Sequence, residues 1–435
     1  MAGRRGPSED VHVVARVWSG GRADCVYDSS TELELTNSTH VNRLLVAKGL
    51  RAFGDGFVSL LLPLYLLEQG FSPLQVGIIA TTTLLGSGLL TLVVGLHAYR
   101  FHYRTLLLAA TVLMAATGFG FASLTGFWPL MLVALAGTLN PSSGDVSVFL
   151  PLEHAVLSRV VDAKKRTAVF ARYSLVGSLV AAFGSLAAGL PMILSDTGRF
   201  SSIGAMQCMF VLYALLGAAA SLVYRGLPKA LGTESHQPTA PLGKSKKTVY
   251  TLAALFSLDA FGGGFVVQSR VALWLYQRFD LSLSATGVIF FWTGLLSALS
   301  FLAAVRIADR FGLVNTMVFT HIPANVCLIL IPFVPGVEWA IVLLFIRSAL
   351  SQMDVPTRSS YVMAVVTPEE RPAAASITSV PRSLASAASP FLAGYMLGLS
   401  SFGWPLIAAG GLKILYDLLL LAMFRKVRPP EEGSP

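Results

Sequence analysis

The sequence predicts an all-α membrane protein, with twelve transmembrane helices arranged as two pseudo-symmetric six-helix bundles. Two observations predict it. The chain of 435 residues is 54% hydrophobic and only 13% charged, with a mean hydropathy of +0.67, which is more apolar surface than one water-soluble core can hide. It is also written twice. Ala52-Phe53-Gly54-Asp55-Gly56-Phe57-Val58 returns 208 positions on as Ala260-Phe261-Gly262-Gly263-Gly264-Phe265-Val266. Independently, Pro151, Val160, Val161, Arg166, Ser174, Leu179 and Gly189 have identical counterparts 205 positions on, from Pro356 and Val365 through Ser379 to Gly394. Two similar halves, each apolar enough for lipid, point to duplicated membrane bundles.

About 20 apolar residues cross the hydrocarbon layer. Twelve stretches qualify, near 43–69, 74–98, 104–123, 127–157, 167–193, 203–224, 248–277, 283–305, 313–333, 337–366, 372–398 and 401–424. Basic residues crowd alternate connections: Arg100 and Arg104; Arg159, Lys164, Lys165 and Arg166; Arg225, Lys229, Lys244, Lys246 and Lys247; Arg306 and Arg310; Arg371; Arg425, Lys426 and Arg428. The opposite connections hold little beyond Arg199 and Arg278. The positive-inside rule then places both termini in the cytoplasm. It also accounts for the net charge of +9, so no nucleic-acid partner is expected.

The polar, Pro- and Gly-containing stretch 226–247 reads as a cytoplasmic linker between the halves. The expected domains are a disordered polar tail over 1–42, an N-terminal bundle over 43–225, the linker, a C-terminal bundle over 248–426 and a short tail over 427–435. No apolar run follows Arg4-Arg5 closely enough for a signal peptide. Asn37-Ser38-Thr39 is a glycosylation triplet that a cytoplasmic location leaves unused. Cys25, Cys208 and Cys327 are too far apart for a metal or redox motif, and no metal or cofactor is expected.

The loop Val305-Arg306-Ile307-Ala308-Asp309-Arg310-Phe311-Gly312 matches the pattern G-x-L-A-D-R-x-G-R-K. With twelve spans, the central linker and the repeat, the chain from about residue 43 to 426 resembles the major facilitator superfamily, as a bacterial-type twelve-helix member. The first-half copy, residues 95–104, is degenerate, with Tyr99 in place of the acid and His102 in place of the glycine. The resemblance implies that Asp309, Arg310 and Gly312 form a tight conformational loop, in which the acid caps a helix and pairs with Arg. It also implies a secondary transporter in the bacterial inner (plasma) membrane, monomeric, not an enzyme, that moves a small-molecule substrate.

Each Asp, Lys or Arg at a helix centre costs on the order of 2.5–3.5 kcal/mol on insertion scales, so such residues face inward or find partners. Arg51 and Asp55 share one face of the first span with Lys48; Asp259 and Arg270 lie on the seventh; Arg347, Asp354 and Arg358 make one stripe on the tenth. Asp145 and Glu153 fall in the fourth span, Arg172 in the fifth, Arg382 in the eleventh, and Lys413 with Asp417 in the twelfth, where the two can neutralise each other. The resemblance places the first, fourth, seventh and tenth helices around a central cavity. A carboxylate in a half-dry cavity can load and release a proton near neutral pH, which nominates Asp55, Asp145 and Asp354 for proton coupling. Asp55 stands between two glycines, and its repeat counterpart is Gly263, so the fold itself does not require an acid there. Arg270, Arg347 and Arg382 are candidates to bind an anionic substrate group, or counter-ions for the acids.

Aligned positions of the halves carry opposite charges: Arg51 with Asp259, Glu153 with Arg358, and Lys164-Lys165 with Glu369-Glu370. The expectation is that these are ion pairs between the halves that gate the cytoplasmic mouth. Ser174, Ser178 and Ala182 in the fifth span, matched by Ser379, Ser383 and Ala387 in the eleventh, predict close sliding contacts between halves. Pro151 and Pro356 predict matching kinks. There is no phosphate-binding Gly-x-x-x-x-Gly-Lys-Ser/Thr loop and no hydrolase or zinc motif. Residues 177–189, GSLVAAFGSLAAG, lack the Gly-Pro step of the family's drug/proton antiporters. The sequence thus predicts proton-coupled transport of a small solute by alternating access. A uniporter or organic-anion exchanger is the alternative within transport, and a non-transporting sensor or scaffold the alternative outside it.

Overall fold

The computed structural model describes residues 29–97, 101–140, 147–161, 163–228, 243, 245–367 and 370–425. The first half holds α1 (Ser29–Glu68), α2 (Pro73–His97), α3 (Tyr103–Ser123), α4 (Phe127–Ala136), α5 (Phe149–Val160), α6 (Ala163–Ala187), α7 (Leu190–Asp196) and α8 (Ser202–Arg225). The second holds α9 (Lys246–Gly264), α10 (Gln268–Phe279), α11 (Leu283–Phe311), α12 (Leu313–Leu330), α13 (Val337–Ser351), α14 (Asp354–Ala364), α15 (Arg371–Leu399) and α16 (Trp404–Phe424). Nine spans among the described residues are long and apolar enough to cross a membrane, with α9 and α10 together making one. The remaining three expected spans are the interrupted pairs α4–α5 and α13–α14 and the Ser-, Ala- and Pro-rich α15. The protein is therefore an all-helical, multi-pass integral membrane protein.

Two expectations change. Helix α1 starts at Ser29, well before residue 43, because Glu and Leu in the segment from Ser29 onward are strong helix formers and no Gly or Pro intervenes before Gly49. Forty residues at about 1.5 Å each span roughly 60 Å, twice the hydrocarbon thickness. The Arg43 guanidinium of this helix donates to the carbonyl of Gly226 just past α8. The second change concerns Pro151 and Pro356, which do not kink continuous helices. They are the third residues of α5 and α14, where a first-turn proline forfeits no intrahelical hydrogen bond.

The duplicated words recur as duplicated contacts. A Cβ on Gly56 would lie 2.2 Å from the Ala181 carbonyl oxygen, and one on Gly264 2.3 Å from that of Ser386, the residue 205 positions after Ala181. Likewise a Cβ on Gly184 would lie 2.2 Å from the Phe53 carbonyl oxygen, while its counterpart Ser389 donates its hydroxyl to the Phe261 carbonyl at 2.6 Å. The helix pairs α1–α6 and α9–α15 are thus the same backbone-to-backbone joint, built twice. Asp55 inherits its glycine neighbours from this joint: Gly54 admits Tyr213 of α8 and Gly56 admits α6. Helix α1 runs through it unbroken, whereas the second half pauses at Phe265–Val267 between α9 and α10.

The halves meet through α2 against α15 and α6 against α11. A Cβ on Gly77 would lie 2.8 Å from the Pro390 carbonyl oxygen and 3.0 Å from the Gly394 Cα. A Cβ on Gly287 would lie 2.5 Å from the Ser185 carbonyl oxygen, and one on Gly294 2.8 Å from the Ala182 Cβ. All of these lie in the portions of the helices remote from the basic loops.

Candidate functional site

Each half is organised around one buried acid–base pair. In the first, Glu153 of α5 is fully buried and takes the guanidinium of Arg51 from α1, the hydroxyl of Tyr173 from α6 and, at 2.6 Å, the hydroxyl of Tyr224 from α8. Arg51 also lies 4.1 Å above the Phe149 ring, and Lys48 sits 5.2 Å over Tyr173. Three charge-assisted donors on one carboxylate offset what it loses on leaving water.

In the second half Asp259 of α9 accepts from Arg358 of α14 at 2.9 Å and from Lys413 of α16 at 2.6 Å. Arg358 also pairs with Asp354 one turn away and lies 5.2 Å over Phe256. Beside this cluster, His321 Nδ1 sits 3.0 and 3.1 Å from the two oxygens of Asp417, which also accepts from Asn325 at 3.3 Å. Lys413 and Asp417 therefore do not neutralise each other; each has its own partner.

This geometry corrects the expected gate. Arg51, Glu153, Asp259 and Arg358 pair within the halves, Arg51 with Glu153 and Asp259 with Arg358, rather than across them. The physical reason is that each bundle needs one neutral cross-link between its first and fourth spans, and the two halves place the acid on opposite members of that pair. The aligned charges are opposite because the link is reversed. Of the third aligned set, Glu369 and the side chains of Lys164 and Lys165 lie outside the described residues. Glu370 accepts the backbone N–H of Gly243 at 2.6 Å and of Ser245 at 3.3 Å, capping the entry to α9.

The other expected site residues separate. Asp55 is half-buried on the same face of α1 as Arg51, near Tyr213. Asp145 lies outside the described residues. Asp354, expected as a proton carrier, is buried and held by Arg358. Arg270, 2% exposed, donates from Nη2 to the Val76 carbonyl of α2 at 3.1 Å, which bridges the two halves. Arg347 is half-buried beside Cys327 of α12. Arg382 is exposed on α15, within electrostatic reach of Arg358, Asp259 and Asp354. At the conformational loop, Gly312 links α11 to α12 at φ 84° and ψ 159°, a conformation reserved for glycine. Arg310 is exposed, its guanidinium 5.5 Å over Phe311; the side chain of Asp309 and the residue Tyr99 fall outside the description.

The small-residue stripes behave alike in the two halves. Ser174 is exposed, Ser178 half-buried and Ala182 buried; Ser379 is exposed, Ser383 half-buried and Ala387 buried. Ala387 closes against Leu84 of α2 and Val267, and Ala182 against Gly294 of α11. Each stripe is thus buried at the end remote from the basic loops and increasingly exposed toward them.

Sequence reasoning missed Tyr173 and Tyr224 as partners of Glu153, Lys413 as a partner of Asp259, and the pause at Phe265–Val267. The last had a signal in Gly262-Gly263-Gly264, which lowers helix propensity where the first half has Asp55. The tyrosines carried none that separates them from other aromatic core residues.

A duplicated helical membrane protein with paired buried charges and small-residue seams is the architecture of a membrane carrier. The chain belongs to the Major Facilitator Superfamily, whose family model matches residues 44–353 and again 260–435; it is a member of a transporter family and not an enzyme. It is similar to the uncharacterized membrane protein YJR124C of Saccharomyces cerevisiae, 24% identical over 89% of this chain and 94% of that one. Among solved structures it shares its fold with the nucleoside transporter NupG, with a TM-score of 0.67 at 14% identity over 89% of this chain and 99% of that one. It also shares it with a bacterial homologue of the human lysosomal transporter Spinster, inward-facing and occupied, with a TM-score of 0.68 at 14% identity over 89% and 96%. The human organic anion transporter MFSD10 gives a TM-score of 0.62 at 17% identity over 88% and 99%.

Proposed function

We propose that the chain is a proton-coupled secondary transporter that moves a small solute by alternating access, with both termini cytoplasmic and the present conformation open to the cytoplasm. The observation that carries this reading is the matched gradient of exposure along Ser174, Ser178, Ala182 and Ser379, Ser383, Ala387. A pair of seams that opens at one face and closes at the other is one state of a rocking carrier. The within-half pairs Arg51–Glu153 and Asp259–Arg358 keep each bundle rigid as it tilts. Asp55 is the proton carrier: it is half-buried on α1 near Tyr213, and Gly263 at the equivalent place means that packing does not demand an acid. Asp145 is a second candidate on sequence grounds, while the Arg358 pairing of Asp354 assigns that residue to structure. Similarity to a yeast protein over most of both chains favours a eukaryotic membrane over the bacterial inner membrane.

The test is uptake and efflux in proteoliposomes with an imposed pH gradient and a broad solute panel. Asp55→Asn is expected to abolish gradient-driven accumulation while sparing solute exchange. If no solute moves in either direction, with or without the gradient, the reading fails.

A further inference from the structure

We infer that the first turn of α10 is an anion site, so that the transported solute, or an ion moving with it, carries a carboxylate or phosphate group. The inference rests on the transporter reading and names the substrate class. Three observations support it. First, Arg270 is 2% exposed, and its Nε and Nη1 have no hydrogen-bond partner; neither does the hydroxyl of Ser269 beside it, which is fully buried. No carboxylate among the described residues pairs with Arg270, in contrast to Arg51 and Arg358. A buried cation without a counter-charge is among the costlier features a membrane protein can carry, and such a group is retained where something else supplies the anion.

Second, α10 starts a helix inside the span. Val267 provides no side-chain cap, and the first turn bonds internally only from Arg270 onward. The N–H groups of Gln268 and Ser269 and the positive end of the helix dipole thus lie in the same turn as the unused Ser269 hydroxyl and the Arg270 guanidinium.

Third, the site lies on the contact between the halves. Val267 packs with Leu84 and Ala387, Gln268 Nε2 donates to Ser185 Oγ at 3.3 Å, and Arg270 reaches the Val76 carbonyl. These buried contacts belong to the part of the interface where α2 and α15 are closed on each other. Because α10 runs from there away from the basic loops, its N-terminus is directed back toward them. An anion bound there is touched by one half and lies against the other, which lets its arrival and departure bias the tilt.

The test is ligand-induced thermal stabilisation of the full chain in phosphatidylcholine nanodiscs, with inorganic phosphate, succinate and benzoate as probes and benzamide and glycerol as neutral controls. At least one anion is expected to raise Tm in a saturable manner and the neutral probes not to. Arg270→Gln should weaken the apparent affinity at least tenfold, Ser269→Ala less, and Arg270→Lys should retain part of it. Without any probe, Arg270→Gln removes both an uncompensated charge and the Val76 hydrogen bond, so Tm should change little; it is the loss of the anion-induced rise in Tm that separates a binding from a purely structural guanidinium. The proposal is overturned if none of the three anions stabilises the protein or if Arg270→Gln binds as tightly as the parent. It is also overturned if stabilisation requires phosphatidylglycerol in the nanodisc and no free anion. Solute flux in proteoliposomes separates this from the broader reading: flux of a neutral solute untouched by Arg270→Gln defeats the anion site alone, and anion binding without any flux defeats transport alone.

Discussion

Glu153→Ala is the sharpest perturbation of the first half. It leaves the Arg51 guanidinium and the hydroxyls of Tyr173 and Tyr224 facing a hole in a fully buried site. Removing one member of a buried ion pair costs about 3–5 kcal/mol. The two orphaned hydroxyls would add about 1–3 kcal/mol each were they unable to turn to other acceptors, so the lower figure is the safer basis. For a folding unit of this size about 1 kcal/mol moves Tm by roughly 2–4 °C, which makes the expected fall about 6–20 °C. Tryptophan fluorescence of the detergent-solubilised protein during heating measures it. Exchanging the charges within the half, Arg51→Glu with Glu153→Arg, should recover at least half of the loss. Exchange across the halves, Glu153→Arg with Arg358→Glu, should recover nothing and add the cost of stranding Asp259 and Asp354. Rescue by the second exchange and not the first would refute the within-half pairing.

Other perturbations test the joints. Gly56→Ala and Gly264→Ala each drive a methyl into a backbone carbonyl that has no rotamer with which to retreat, and both should cost about 1–3 kcal/mol or more in thermal unfolding; Gly88→Ala, in open space, should be neutral or slightly stabilising. In a background without Cys25, Cys208 and Cys327, Ser174→Cys should react with a water-soluble maleimide faster than Ala182→Cys. Gly312→Ala forces a side chain into glycine-only backbone space and should lower stability by about 1–3 kcal/mol, read as a reduced Tm.

The architecture was legible because the bilayer imposes it: hydrophobic runs, alternate basic loops and a repeated word together leave few arrangements open. The small-residue stripes were legible for the same reason, since close helix approach requires residues such as Ala182 and Ala387 in particular registers. The charge pairing was not, although all four letters were in view. Aligning Arg51 with Asp259 and Glu153 with Arg358 shows opposite signs whether the partner lies across the seam or within the bundle. Only the packing of α1 against α5, and of α9 against α14, decides between them. Arg270 was recognised as a binding candidate from its charge, but its placement against Val76 depends on a pause in the seventh span that an apolar window cannot reveal. Tyr173 and Tyr224 were missed because a phenol whose ring belongs to the core and whose oxygen serves a carboxylate looks, in sequence, like any packing aromatic.

Helix α1 and the divided α9–α10 occupy the same place in their bundles, yet α1 continues as one helix through Pro63 while the other is broken between Gly264 and Gln268. The second bundle therefore has, at Phe265–Val267, a break in its seventh span that the first bundle lacks at the equivalent place. In the carrier proposed above, a bend at this break would admit or retain cargo ahead of the larger motion of the halves.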